Sequence, residues 1–397
     1  MKNLQWIALI LCLISTAVAG QERMENGRLH INNSDLAGQG VEKLELRKLW
    51  QIGGEDEEFI FRSIDKVLLG KDGALYILDG ISGIIYVNSA EDGKLIRQMN
   101  ISGEGPGELD FANNMFLIED DQIALLRPHP AKIVCIDYQG IPQEGVDLSG
   151  DPFFHAGSGD WQNQTLVISG TSSDIRSGQT FVARFNRSGE VYRYENYPVR
   201  ASIMSRQLCE EDEYFVNTKP WAVGFRGELY LSPYWSLSGS GHYQINVYDQ
   251  SGELSRIITR DFEARKRSKK EKKQASEQKF CGESGLQRLA DRGIEYLVED
   301  FDPDVLDIYA HPDGNIWVRH SRSVIDQEPG VIVSYDVFST EGHFLKQVAL
   351  VGDGDGDKDI VYFLDHDKIA LVKGQMGVKF GCFSQEDILE IICYSLQ

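Results

Sequence analysis

The sequence predicts an all-β fold, a six-bladed β-propeller, and the main evidence is a repeat that recurs six times along the chain. Each repeat places a polar turn directly before a short apolar strand. The six turn-and-strand segments are 71–78, 120–125, 162–168, 226–231, 312–318 and 365–371. A second turn follows each of them after about 19 to 28 residues, and repeats of this length that contain only strands and turns indicate a propeller.

Length, composition and charge are compatible with one large β domain. The chain has 397 residues, of which 42% are apolar and 25% are charged. Closed β architectures reach this length as single domains, and the composition is that of an ordered protein. The 61 acidic and 40 basic residues give a net charge of −21, which argues against nucleic acid as the main partner.

Residues 1–20 are predicted to be a secretory signal peptide. Lys2 precedes an apolar run over 4–14, and residues 17–19, Ala-Val-Ala, supply a cleavage site. The alternatives are a membrane anchor, for which the run is shorter than the roughly 20 residues that span a bilayer, and a lipid attachment at Cys12. We expect an exported chain, periplasmic or extracellular, with no transmembrane anchor after cleavage.

The segment after the signal peptide changes from polar to apolar at residue 41. Residues 21–40 are polar and are expected to be loose, whereas 41–50 carries apolar residues at 44, 46, 49 and 50. We predict that 41–50 is an N-terminal closing strand that adds to the last blade, because pairing the two chain ends removes open sheet edges. The propeller then spans 41–397.

Two insertions interrupt the predicted blades. The approximate blade limits are 60–103, 110–149, 150–198, 219–262, 304–350 and 357–397. The insertions are 201–219 and 263–302. The second lies between blades four and five, is helical, and begins with seven basic residues in the segment 265–273. This run is either a solvated surface or a docking patch for an acidic partner or an anionic surface.

Two motifs in the first blade resemble a known family. The segment 101–109, Ile-Ser-Gly-Glu-Gly-Pro-Gly-Glu-Leu, contains a G-x-G-P-G-E turn, and 72–79 is a strand that begins after Asp-Gly. Together they resemble the bacterial six-bladed β-propellers related to NHL-repeat proteins. The resemblance covers about 41–397 and implies the fold. It does not imply one function, because propellers carry many unrelated functions.

The glycine-rich turn has a structural and a functional interpretation. Its glycines and Pro106 suit a connector between blades. Alternatively, Glu104 and Glu108 lie at the rim of the central channel and contact a ligand. A second ligand surface is predicted at Tyr234 and Trp235, beside a loop of small residues, because exposed aromatic rings can stack on sugars or peptides; the other interpretation is packing between sheets.

An acidic loop is the candidate metal site. Asp353, Asp355, Asp357 and Asp359 alternate with glycines and a lysine, and four such carboxylates can converge on Ca²⁺. The loop is not an EF-hand, because the twelfth position is Leu364. The alternative is a plain acidic connection between two blades. No Cys or Cys/His spacing typical of zinc is present.

The resemblance is also compatible with an enzymatic function. Related six-bladed folds include lactonases and lyases that hold a divalent metal at the channel centre. Among the eight histidines, His129 and His155 lie in loops that can face the channel. The sequence has no G-x-S-x-G elbow, phosphate-binding loop or dinucleotide fingerprint, so no catalytic residue is assigned.

We therefore expect a non-catalytic binding scaffold that holds a protein, peptide or glycan on the propeller face or in the channel, without a cofactor except possible Ca²⁺. The alternative is a metal-dependent hydrolase or lyase of the lactonase type. Acidic and His side chains clustered at the channel mouth would favour the enzyme, and a mixed lining would favour the scaffold.

Two disulfides are considered from the sequence, one between Cys209 and Cys281 and one between Cys382 and Cys393. The alternative is that all five cysteines after the signal peptide are buried and unpaired.

Overall fold

The computed structural model describes residues 20–54, 60–118, 121–146, 148, 154–173, 178–200, 206–233, 240–375 and 388–397. Within these ranges the chain is mostly β-strand. Three strands precede the first blade: β1 (Gln21–Glu25), β2 (Arg28–Asn33) and β3 (Val41–Gly53). The predicted signal peptide, apart from residue 20, lies outside the described residues.

The first three blades are regular four-stranded antiparallel sheets. Blade one contains β4 (Lys66–Leu69), β5 (Ala74–Asp79), β6 (Ile84–Ser89) and β7 (Leu95–Asn100). Blade two contains β8 (Asn114–Ile118), β9 (Gln122–Arg127), β10 (Lys132–Asp137) and β11 (Pro142–Val146). Blade three contains β12 (Phe154–Gln162), β13 (Thr165–Ser173), β14 (Gly178–Asn186) and β15 (Gly189–Pro198).

The second half of the chain adds three blades and two insertions. The first insertion holds β16 (Gln207–Cys209), a 3-10 turn (Glu211–Glu213) and α1 (Tyr214–Asn217). Blade four contains β17 (Trp221–Val223), β18 (Leu229–Leu231), β19 (His242–Tyr248) and β20 (Leu254–Asp261). The helical insertion contains α2 (Lys269–Lys279), α3 (Glu283–Asp291) and β21 (Glu295–Leu297). Blade five contains β22 (Val305–Ala310), β23 (Ile316–His320), β24 (Val331–Phe338) and β25 (Phe344–Val351). Blade six contains β26 (Ile360–Asp365), β27 (Lys368–Lys373) and β28 (Glu390–Leu396).

The core is divided among the seams between neighbouring blades. Leu75 and Ile77 of β5 pack toward blade six, whereas Tyr76 and Leu78 of the same strand pack toward blade two. The other four seams each hold their own buried cluster, so the six clusters close a ring. Middle strands are apolar on both faces because each face is covered by another blade. The predicted six-bladed propeller is confirmed.

The long strand β3 closes the ring. Its second half pairs antiparallel with β28, with Trp50 opposite Cys393, and is the outermost strand of blade six. Its first half pairs parallel with β25 of blade five, with Leu44 opposite Leu350. The closing strand therefore lies where the sequence placed it and also joins blade six to blade five.

The segment 21–40, expected to be loose, contains the hairpin of β1 and β2. Strand β2 pairs parallel with β20, which extends blade four to six strands. Ile31 lies opposite Ile258 and is 1% exposed. Ile31 and Asn33 are the two buried, alternating positions of β2, and because one of them is polar the segment did not read as a strand.

The strand order separates the connections into two faces. Successive antiparallel strands reverse direction, so the links between blades and the links from second to third strands share one face. This insertion face carries 101–113, 262–304 and 352–359. The opposite turn face carries short turns, such as 224–228 and 138–141. Long, variable connections on one side of a rigid scaffold are the usual location of a binding site.

The helices of the described ranges are all too short and too polar to span a bilayer.

Candidate functional site

The glycine-rich turn and the acidic loop predicted from sequence lie on connections of the insertion face. Tyr234 and Trp235 lie outside the described residues, so their role stays a prediction. The remaining candidates can be placed. They separate into side chains that hold their own loop together and side chains that are exposed.

Glu108 holds the glycine-rich connector together. Its Oε2 accepts a 2.9 Å hydrogen bond from the backbone N of Gly105. A Cβ added to Gly103 would lie 2.0 Å from that oxygen, so a side chain there would clash with the carboxylate. Glu104 is exposed. This geometry favours the connector interpretation for Glu108 and leaves Glu104 available to a ligand.

The four aspartates of the acidic loop have different surroundings. The Asp359 carboxylate is 8% exposed and accepts hydrogen bonds from the backbone N of Asp355, at 2.8 Å, and of Gly374, at 3.2 Å. The Asp353 side chain is 98% exposed. Among the described residues, no three of these acids bring oxygens within 4.8 Å of one another. The calcium site therefore stays a prediction that needs the loop to rearrange.

His129 and His155 lie close together near the start of the inner strand of blade three. Their rings are stacked, with centroids 6.3 Å apart. Burial, and then the charge of His129, lower the pKa of His155. The Nδ1 atom of His155 is buried without a hydrogen-bond partner among the described residues. The sequence identified both residues but could not show that they meet.

The basic run of the insertion is largely paired within the chain. Arg267 contacts Glu210 at 2.6 Å and Asp302 at 2.5 Å, and Arg265 also pairs with Asp302. Lys272 lies 2.7 Å from Asp300. The pair of Arg267 and Glu210 fastens the insertion to the acidic turn that precedes α1, and the other pairs join the two ends of the insertion to each other. The run is therefore mainly an internal clamp, with Lys269 and Lys270 left exposed on α2.

Neither of the two disulfides considered from sequence forms. Cys209 and Cys393 are free and buried, and burial raises the pKa of each thiol to about 11. Cys281 is disulfide-bonded. Spacing along the chain could not decide these pairings, because it does not show which cysteines the fold brings together.

A patch of exposed isoleucines lies on the insertion face, above the seam between blades one and six. Ile60, Ile81 and Ile388 are 75%, 52% and 54% exposed. Their connections are joined: the backbone N of Ile81 donates to Ser63 Oγ at 3.2 Å, and the backbone N of Gly54 donates to Leu389 O at 3.0 Å. We call these three residues the isoleucine patch.

The isoleucine patch rests on a buried polar network. Asp79 is fully buried, and its carboxylate accepts hydrogen bonds from the backbone N of Arg62 at 2.9 Å and of Ser82 at 2.9 Å. The backbone N of Ile64 donates to the side chain of Gln375 at 3.1 Å. These bonds tie residues 62–64 to residues 79–82 and to Gln375, so a buried polar network connects blade one to the end of β27 beneath the patch.

A charged cluster lies along the first strands of blades three to five, which are the strands nearest the centre of the ring. Lys219 forms an ion pair with Asp160, and its backbone N donates to Asp307 at 3.3 Å. Arg319 lies 3.5 Å from Asp307 and donates to Gly356 O at 3.3 Å. All four side chains are between 23% and 32% exposed. We call Asp160, Lys219, Asp307 and Arg319 the channel cluster.

The channel cluster has a mixed lining of two acids and two bases. Burial opposes the charge of Arg319, yet Asp307 and nearby tyrosines hold its pKa above the usual value. Sequence reasoning missed this cluster and the isoleucine patch. Lys219 and Asp307 are 88 positions apart, and only the blade order brings them together.

Comparison with known proteins supports the fold. Residues 55–222 match the family DUF5128, described as a 6-bladed beta-propeller. This match confirms the resemblance inferred from the first blade. No curated protein matches the chain.

Several solved propellers have a similar chain path. Virginiamycin B lyase from Staphylococcus aureus is 10% identical with a TM-score of 0.41, and the match covers 88% of this chain and 99% of that one. A protein of unknown function from Bacteroides caccae is 7% identical with a TM-score of 0.38, covering 80% and 89%. The WD40 propeller domain of Doa1 is 12% identical with a TM-score of 0.37, covering 87% and 96%. Scores this low leave function to be argued from the chain's own residues.

Proposed function

We propose that this six-bladed β-propeller is an exported, non-catalytic binding scaffold whose insertion face holds a protein or peptide partner. The isoleucine patch is the observation that carries the proposal. Three large apolar side chains are exposed beside a buried hydrogen-bond network. Exposed apolar side chains that lie together are typical of a protein interface.

The channel cluster supports the scaffold over the enzyme. Each of its acids is already next to a cation of the cluster, so the lining is mixed rather than a set of convergent oxygen ligands. Asp160 and Asp307 would have to release Lys219 and Arg319 before they could hold a metal. An arrangement of mutually paired charges fixes neighbouring blades and gives the ring the rigidity that a scaffold requires.

A photo-crosslinking experiment tests the proposal with a matched control. A photoreactive amino acid replaces Ile60 or Ile388 on the insertion face, and Ile141 or Phe225 on the turn face. Ile141 and Phe225 are 57% and 43% exposed, so they match the patch in polarity and accessibility. We expect one partner to be captured from Ile60 and Ile388 in the producing cell and not from the two controls.

The purified partner then provides a quantitative test. Burial of one isoleucine contributes about 1.5–3 kcal/mol, so Ile60→Lys or Ile388→Lys should weaken binding roughly ten- to a hundredfold. Phe225→Lys should leave the affinity unchanged. Equal capture from both faces, or equal effects of the three substitutions, would refute the assignment of the insertion face.

The pair of His129 and His155 favours the second candidate, a metal-dependent hydrolase or lyase. Two imidazoles at the start of an inner strand can ligate a transition metal. A metal that binds only the folded state raises its unfolding temperature. This candidate predicts such a rise with Mn²⁺ or Zn²⁺ after EDTA treatment, and its loss in His155→Gln.

Export is tested by fractionation. We expect the chain to leave the cytoplasm with residues 1–20 removed, which mass spectrometry of the mature N-terminus would establish. A cytoplasmic chain that retains Lys2 would contradict the proposed location.

A further inference from the structure

The strongest unassigned feature is a buried cluster between the first insertion and the helical insertion. Cys209, Glu211 and Glu299 each place one ligand atom within 4.8 Å of the other two. Cys209 and Glu211 are each 2% exposed, and the Glu299 side chain is 26% exposed. The Cys209 Sγ donates a hydrogen bond to Glu299 Oε1 at 3.4 Å.

Glu211 supplies an independent indication of a ligand. Its side chain is 3% exposed, and its Oε1 atom is buried without a hydrogen-bond partner among the described residues. A buried carboxylate oxygen that lacks a partner is unfavourable, because it has lost its water and gained nothing in return. A cation bound between the thiol and the two carboxylates would give the Glu211 carboxylate a second partner besides Arg200.

We propose that Cys209, Glu211 and Glu299 form a Zn²⁺ site that fastens the helical insertion to the propeller. Zn²⁺ accepts thiolate and carboxylate ligands together, at about 2.3 and 2.1 Å, so its ligand atoms lie about 3.5 Å apart. The ligand atoms lie within 4.8 Å of one another, so the cluster needs to contract by at most about 1.3 Å to reach the required size. Thiolate coordination selects Zn²⁺ over Ca²⁺ and Mg²⁺, and the thiol proton is released to solvent.

The elements that carry the three ligands explain why such a site would act as a fastening. Cys209 ends β16, and Glu299 follows β21 by two residues. These two strands pair in parallel, with Cys209 opposite Leu297. The pairing is only three residues long. A metal bound across it would therefore add a strong link where the backbone contact is short.

Arg200 holds the two carboxylates in the absence of metal. Its Nη1 donates to Glu299 Oε1 at 3.0 Å and also contacts Glu211. The Arg200 side chain is 52% exposed, so it can turn into solvent. Its backbone N is tied separately to Asp212 at 2.7 Å, which keeps the chain in place when the side chain moves. Arg200 and Zn²⁺ thus compete for the same oxygens.

The first experiment uses Cd²⁺ as a spectroscopic probe for Zn²⁺ on the purified, EDTA-treated protein. We expect one equivalent of Cd²⁺ to produce the ultraviolet thiolate-to-metal band, and one equivalent of Zn²⁺ to remove it by displacement. Cys209→Ser should abolish the band, and Cys393→Ser, which changes an equally buried thiol, should retain it. No band in the wild type, or an unchanged band in Cys209→Ser, overturns the site.

Two further variants keep the test valid if Cys209→Ser does not fold. Glu299→Gln alters a partly exposed ligand and should weaken Zn²⁺ binding, measured by calorimetry. Arg200→Ala removes the competing cation and should tighten it. Weaker binding in Arg200→Ala, or unchanged binding in Glu299→Gln, contradicts the proposed ligand set.

Hydrogen exchange tests the fastening itself. Zn²⁺ should slow amide exchange in β16 and β21 and leave the exchange of blade one unchanged. Metal binding without slower exchange in these two strands would overturn the structural role. This outcome is independent of the isoleucine patch, so the metal site can fail while the scaffold proposal stands, and the reverse also holds.

Discussion

The hydroxyl of Tyr243 in blade four donates a 2.6 Å hydrogen bond to the Asp336 carboxylate in blade five. Asp336 is fully buried. Arg260 lies 3.2 Å from the same carboxylate, and the Gln347 amide donates to it at 2.9 Å. One ionised acid is thus bound by groups from both sides of a blade seam.

Asp336→Asn should strongly destabilise the propeller. The substitution leaves Arg260, whose side chain is 7% exposed, as a buried cation without its counter-charge. Breaking a buried ion pair by removing one partner costs about 3–5 kcal/mol. Unfolding in denaturant measures the loss. Tyr243→Phe keeps the ion pair and should cost only about 1–3 kcal/mol, so equal losses would argue against the charge as the cause.

Stability should fall in acid through at least two carboxyls. Burial opposes ionisation of Asp336, but the charges of His320 and Arg260 outweigh it and hold its pKa far below the usual value. Burial likewise opposes ionisation of Asp313, yet the hydrogen bond to His311 lowers its pKa to about 2. The unfolded chain takes up protons first, below a pH of about 4.

The direction of this pH dependence follows from proton uptake. The contribution of both acids is fully present above pH 4 and is lost as the pH falls toward 2, at about 1.4 kcal/mol per pH unit for each acid. Urea unfolding between pH 7 and pH 2 measures it. Asp313→Asn should flatten the acid limb, and an identical limb in that variant would exclude Asp313 from the effect.

Arg267→Ala should release the helical insertion without unfolding the ring. The Arg267 side chain is 10% exposed and links Glu210 to Asp302. Its loss removes the positive charge that offsets the cost of burying these two carboxylates. Faster amide exchange over 263–302, with unchanged exchange in blade one, is the expected result. Lys269→Ala changes an exposed residue of α2 and is the control; an equal effect there would mean that the pairing is not responsible.

Asp359→Ala should destabilise the acidic loop whether or not calcium is present. The substitution leaves the backbone N–H groups of Asp355 and Gly374 without their acceptor, at a cost of about 1–3 kcal/mol. Thermal unfolding in EDTA and in Ca²⁺ measures this, with Asp353→Asn as an exposed control. If Ca²⁺ stabilises the wild type and Asp353→Asn removes that effect, the loop binds calcium as the sequence predicted.

Two N-terminal deletions should have different outcomes. Removing 20–33 takes away the hairpin of β1 and β2, so the protein should lose stability but still unfold cooperatively. Removing 20–53 also takes away β3, which leaves β28 paired only with β27 and opens the ring. Calorimetry should show one sharp transition for the first protein and none for the second. A sharp transition in both would contradict the closing role of β3.

The fold could be predicted from the sequence because its signals are local. The turn at Asp72-Gly73 and the apolar strand 74–79 identify a blade without knowledge of any other. The closing strand was predictable because a propeller needs one. Between the signal peptide and the first blade, 41–50 was the segment with regularly placed apolar residues. The hairpin of β1 and β2 was missed because Ile31 is its only buried apolar residue, since the other buried position is Asn33, and one apolar residue gives too weak a pattern in a polar segment.

The candidate sites were only partly predictable because they depend on distant contacts. His129 and His155 were identified singly, and their stacking follows from blade two packing on blade three. The isoleucine patch draws on both ends of the chain, at Ile60 and Ile388. Exposure of an isoleucine has no sequence signal of its own, since the same residue type fills the core.

The double pairing of β3 has a kinetic consequence. Its partners β25 and β28 are among the last strands to be synthesised. Leu44 therefore cannot pair with Leu350, nor Trp50 with Cys393, until almost the whole chain has been made. Loop closure over such a separation is slow compared with pairing inside a blade. Individual blades can therefore form early, while the ring stays open until synthesis has almost finished. During that interval the unpaired edge of β3 is a target for proteases and for the same edge of another molecule.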